Sequence, residues 1–167
     1  MNTVFLSLGS NIEPEVHLPA AVRLLAAVGE VVAVSPVYES VAVGDPTQPH
    51  FLNGAVILIV ALSPNDLKER LMAIEQALKR QRSADPNAAR TIDLDIALFN
   101  REVLLLGKRH IPDPDILTQP YLALPLADLR PDFVHPETGQ TLRALAAPFR
   151  GRTDIWRRDD VRLATVK

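Results

Sequence analysis

Asp93 and Asp95 lie two residues apart in the run Arg90 to Phe99, RTIDLDIALF, which is otherwise largely apolar. On a strand, residues two apart share a face, with backbones about 7 Å apart. Two carboxylates so placed repel each other unless they are solvated, paired with cations or bridged by metal ions. A solvated sheet face accounts for a bare D-x-D pattern without any function. Two features point further. Ala97 and Phe99 continue the same face as apolar residues, so the charge is concentrated where the strand begins, and Arg80, Arg82 and Arg90 flank the pair.

Carboxylates for a hard cation beside guanidiniums for an anion are what magnesium-assisted phosphoryl transfer requires. Magnesium takes oxygen ligands, and arginines neutralise charge that develops on the transferred group. For Arg80 and Arg82 the plain alternative is a solvated helix end. Asn53 interrupts an apolar run beside Phe51, where an amide either anchors a loop or reads the edge of a heterocycle. Phe51 and Tyr121 offer aromatic faces for such a ring.

Other chemistries find no support. The chain has no cysteine, no G-x-x-x-x-G-K-[ST] phosphate loop and no zinc spacing among His17, His50, His110 and His135. No serine triad is readable. A formal charge of −2 gives no polyanion-binding signal. No apolar run approaches membrane-spanning length, and the N-terminus does not pattern as a signal peptide. The expectation is a cytoplasmic protein with neither nucleic-acid nor membrane partners.

The elements that must position these residues are legible. Val4 to Leu8 reads as a buried strand ending at the turn cluster Gly9-Ser10-Asn11, and Pro14 and Pro19 bracket a helix start. Val22, Leu25 and Val28 give that helix an apolar stripe before Gly29. Val31 to Tyr38 reads as a second strand, with Pro36 suggesting an edge or a bulge, and Phe51 to Val60 as a third after a long polar loop. Ser63, Pro64 and Asp66 mark a helix N-terminus, and Leu67, Leu71, Ile74 and Leu78 its buried stripe. Glu75 borders that stripe, within reach of a cleft. The order predicts an α+β, ferredoxin-like βαββαβ core with a C-terminal extension packed on the sheet. Residues 1–149 are expected to form a single domain, and residues 150–167 a charged tail anchored, if at all, by Ile155 and Trp156.

These residues resemble the 6-hydroxymethyl-7,8-dihydropterin pyrophosphokinases of folate biosynthesis. The resemblance rests on GSN at Gly9 to Asn11, QPHFLNGAV at Gln48 to Val56, IEQALKRQR at Ile74 to Arg82, RTIDLDIALF, IPDP at Ile111 to Pro114, and LPLADLRPDFVHP at Leu124 to Pro136. It implies transfer of pyrophosphate from ATP to the pterin hydroxymethyl group, releasing AMP, with two magnesium ions and a monomeric enzyme. By position, Asp93 and Asp95 would ligate metal, and Arg80 and Arg90 would belong to the catalytic loop. Ser40, Val43, Phe51, Asn53 and Tyr121 would bind the pterin; Glu75, Arg82, Ile96 and Lys108 would contact ATP.

Some positions depart from the family pattern. Its usual R-W-G-P-R-T lid reads Pro86-Asn87-Ala88-Ala89-Arg90-Thr91 here, and the only tryptophan is Trp156. Asp113 replaces a usual histidine and Gln119 a usual arginine, so triphosphate binding is expected to weaken. The alternative reading is a divergent paralogue acting on another pterin-like acceptor, or a non-catalytic pterin- or nucleotide-binding module.

Overall fold

The computed structural model describes residues 1–81 and 83–166. Its centre is an antiparallel sheet in which β1 (Asn2–Ser10) lies between β4 (Phe51–Val60) and β5 (Asp93–Phe99). Both neighbours carry long apolar runs, as strands buried on two faces must. The outer side of β4 is shared by β2 (Glu30–Val34) and β3 (Tyr38–Ser40).

The single strand expected over Val31 to Tyr38 is therefore broken in two. Pro36 has no N–H to give to a ladder. Around it, Ser35 N–H donates to the Ala55 carbonyl at 2.9 Å and Ala55 N–H donates to Ser35 Oγ at 2.8 Å, so a side chain stands in for backbone. The first strand, by contrast, runs through Gly9 and Ser10, which pair with Asn53 and Leu52 instead of turning.

Helices α1 (Pro14–Leu25) and α2 (Pro64–Ala77) cover one face. Leu18, Val22 and Leu25 of α1, with Leu67, Leu71 and Ile74 of α2, pack on Val4, Leu6 and Leu8 of β1. Ser63 caps α2 as its sequence predicts, Oγ accepting from Asp66 N–H at 3.2 Å. The opposite face, reached by the alternating Phe5, is covered by the C-terminal third through α3 (Pro120–Leu129) and α4 (Leu142–Ala146). The topology is the ferredoxin-like one, with the extension as a third layer.

Two small pieces complete the frame. β6 (Leu104–Leu106) and β7 (Arg109–Ile111) form a hairpin turned by Gly107 at φ +63°, and Asp113 N–H ties the following chain to the Ala97 carbonyl of β5 at 2.9 Å. The segment read as a charged tail adds β8 (Ile155–Arg157) to the sheet beside β3. Ile155, Val161 and Leu163 are buried, whereas Trp156 stays 39 % exposed with its ring edge-on to His50. Among the described residues, no helix is long and apolar enough to cross a membrane.

Candidate active site

Asp93 and Asp95 occupy alternate positions of β5 and share the face that opens into two adjoining clefts. Neither is a solvated surface carboxylate: each keeps only 27 % of its side chain exposed, and both are ion-paired. Arg80 Nη1 donates to Asp93 Oδ1 at 2.9 Å, and Arg90 Nη1 donates to Asp93 Oδ2 at 3.0 Å. Arg80 also donates to Glu75 Oε2, which accepts Leu94 N–H at 3.0 Å besides. Glu75 thus bolts the end of α2 to the start of β5. The solvated-helix-end reading of Arg80 fails, since its side chain is 11 % exposed. Arg82 lies outside the described residues.

Asp95 has a different partner, one that the sequence did not single out. Arg109 Nη1 lies 3.1 Å from Asp95 Oδ1, and Arg109 Nη2 donates to Asp113 Oδ2 at 2.8 Å. Burial pushes the Asp95 carboxyl up to about 7, with the Asp93 charge adding to the rise and Arg109 opposing it. A cation of higher charge at this point would relieve that penalty. Asp113 therefore does not stand as a bare negative charge in the cleft: its second oxygen accepts Asp115 N–H at 2.9 Å.

The two clefts differ in character. One runs beside the end of α2 and is lined by Leu71, Met72, Glu75, Arg80 and Ile96. The other is lined by Ser40, Val43, Phe51, Asn53 and Tyr121, the whole group expected to bind a ring. Gly9 makes room for the amide of Asn53, because a Cβ there would stand 2.7 Å from Asn53 Oδ1. Tyr121 donates its hydroxyl to Asp115 Oδ2 at 3.0 Å, which fixes its ring at the cleft wall. Arg90, Asp93, Asp95 and Arg109 line both clefts. Lys108 sits exposed in the β6–β7 turn, and its neighbour Arg109 is the side chain that reaches the clefts.

Asn87, where the resembling pattern has tryptophan, packs on the loop before β4. Its carbonyl accepts from Gln48 Nε2 at 2.5 Å, and its side chain lies over Gly44. Asn11 joins both loops: its Nδ2 donates to Gln48 Oε1 at 3.0 Å and its Oδ1 accepts Arg90 N–H at 2.8 Å. Trp156 projects on the side of β8 opposite to buried Ile155 and is not among the cleft-lining residues.

Among the described residues no group of three or more His, Cys, Asp or Glu side chains converges as a self-sufficient metal cage. Two carboxylates on one face are still the donor set that suits magnesium, which completes its shell with water and substrate phosphates.

The model of the 7,8-dihydro-6-hydroxymethylpterin-pyrophosphokinase family matches residues 5–131. The chain belongs to this pyrophosphokinase family. It is 39 % identical over 153 residues to the 2-amino-4-hydroxy-6-hydroxymethyldihydropteridine pyrophosphokinase of Pseudomonas aeruginosa, covering 89 % of this chain and 93 % of that one. With the protein of the same name from Bacillus subtilis it shares 40 % over 132 residues, covering 77 % and 78 %. Among solved structures, an HPPK-DHPS in complex with substrates superposes with a TM-score of 0.73 at 15 % identity, over 93 % of this chain. Plasmodium falciparum HPPK-DHPS with pterin and p-hydroxybenzoate gives 0.69 at 16 %, over 89 %. The chain spans 46 % and 42 % of those two solved chains, and at such identity they establish the pyrophosphokinase fold alone.

Proposed function

We propose that this chain transfers pyrophosphate from ATP to the hydroxymethyl group of 6-hydroxymethyl-7,8-dihydropterin, releasing AMP, in folate biosynthesis. The observation that carries the reading is the placement of Arg90, Asp93 and Asp95 on the wall common to both clefts. A group passing from a nucleotide in the α2-side cleft to a ring in the Phe51–Tyr121 cleft must cross that wall. Family membership supports the same reaction.

The pterin hydroxyl oxygen forms a bond to the β-phosphorus as the bond from that phosphorus to the AMP oxygen breaks, and the hydroxyl proton leaves to solvent. Asn53 offers a donor and an acceptor to the ring edge, while Phe51 and Tyr121 provide apolar faces. Glu75 and Ile96 border the nucleotide side. Arg80 and Arg90, which donate to Asp93, would transfer those hydrogen bonds to phosphate oxygens. Asp93 and Asp95 would hold magnesium, two ions by the family pattern, whose charge would offset that of the phosphates. No general base is needed in this account; catalysis comes from positioning and electrostatics. We read the protein as a cytoplasmic monomer without nucleic-acid or membrane partners.

The test is to mix the protein with ATP, magnesium and the hydroxymethylpterin and to follow AMP. The expected result is pterin-dependent AMP release that Asp95→Ala abolishes. Release no greater than in that variant removes the reading.

A further inference from the structure

Arg109 is not among the residues that match the family pattern, yet it touches both Asp95, one of the two candidate metal carboxylates, and the departure at Asp113. Its guanidinium is held at two ends. One end meets Asp95, which pairs with no other arginine among the described residues; the other meets Asp113.

Asp113 is itself rigidly placed. Its backbone N–H is bonded to β5, its carboxylate accepts Asp115 N–H, and its side chain is 7 % exposed. The Arg109 side chain is 41 % exposed and lines both clefts. A divalent cation held by Asp95 would compete with Arg109 for that carboxylate, because two cations on one carboxylate weaken each other's hold. The guanidinium would then keep Asp113 and free its Nη1 end for anionic oxygens in the clefts that it lines.

We infer that Arg109 is a third phosphate-binding arginine of this site and that Asp113 positions it. This rests on the pyrophosphokinase reading. It reverses the meaning of the Asp113 departure, which supplies a tether for a cation in place of a repulsive charge. Guanidinium and carboxylate thus act as a unit that has no counterpart in a site with histidine at that position.

The test is calorimetric titration of a non-hydrolysable ATP analogue with magnesium into Arg109→Gln, Asp113→Asn and the double variant, with folding checked by circular dichroism. Arg109→Gln is expected to weaken the analogue about tenfold, the loss typical of one charge-assisted contact. Asp113→Asn should weaken it several-fold, and the double variant should be no weaker than Arg109→Gln alone, because Asp113 acts through Arg109. In turnover, the KM for ATP should rise while the KM for the pterin stays within about twofold. Arg109→Lys keeps charge without the fork, should recover part of the affinity, and serves if Arg109→Gln does not fold. Wild-type affinity in folded Arg109→Gln, or tighter binding in Asp113→Asn, overturns the inference alone. A wild-type protein that binds no analogue overturns the pyrophosphokinase reading with it.

Discussion

Arg80 Nη1 donates to Asp93 Oδ1 at 2.9 Å, so an arginine expected to serve phosphate rests on a carboxylate expected to serve metal. Without substrate, the two charge sets of the site neutralise each other. On the proposed function, binding of Mg–ATP would be an exchange of partners that preserves charge balance in a partly dry cleft.

The exchange has a stability consequence. Removing Arg80 takes a charge-assisted bond from Glu75 and one from Asp93. Arg80→Ala should cost about 2 kcal/mol in urea denaturation of the substrate-free protein, and lower kcat about a hundredfold. Unchanged stability would mean that the pairing is incidental.

A second consequence concerns the two loops. Gly44 sits at φ +83°, and a Cβ there would lie 2.7 Å from Asn87 Cγ. Gly44→Ala imposes left-handed strain on this loop and displaces the Asn87 side chain, so the pterin KM should rise about fivefold. The KM for ATP should move less, because Val43 and Phe51 line only the ring cleft. Steady-state kinetics in each substrate separates the two effects.

Acid sensitivity should come in part from His135. It is buried, and its Nδ1 accepts N–H bonds from Glu137 and Thr138 at 3.2 Å each. Burial holds its pKa below the ordinary 6.5. The unfolded chain therefore binds more protons than the folded one, and this contribution to stability is intact above about pH 6.5 and is lost as pH falls below it. His135→Asn keeps an acceptor and removes the titration. Its stability difference between about pH 8 and pH 5 should be smaller than that of the wild type, by thermal melting at both values.

The C-terminal segment belongs to the core. Ile155, Val161 and Leu163 are each under a tenth exposed, and Leu163 packs on Gly54, where a Cβ would stand 2.9 Å away. Ending the chain at Arg150 should remove about 5 kcal/mol of burial, comparable with the whole stability of a small domain. The truncated protein should be found insoluble, or with a urea midpoint far below that of the full chain.

Local sequence carried much of this. Period-two spacing placed Asp93 and Asp95 on one face whatever the rest of the chain did, because a strand's pleat is a property of its own backbone. Ser63-Pro64 with Asp66 fixed the start of α2, since capping is satisfied within one turn. The family pattern picked out Ser40, Val43, Phe51, Asn53 and Tyr121, which line one cleft although they come from β3, the loop after it, β4 and α3.

Tertiary structure decided the rest. Arg109 became a site residue only because the β6–β7 hairpin folds back on β5, a relation between segments that no local spacing encodes. Asp113 changed from a repulsive charge into a tether for the same reason. Pro36 marked an edge or a bulge by its missing N–H, and only the pairing with β4 showed that the strand divides there into two. The polar C-terminal segment gained a place in the sheet from three buried side chains among many charged ones. Composition and periodicity describe what a segment carries, and only packing shows what faces it.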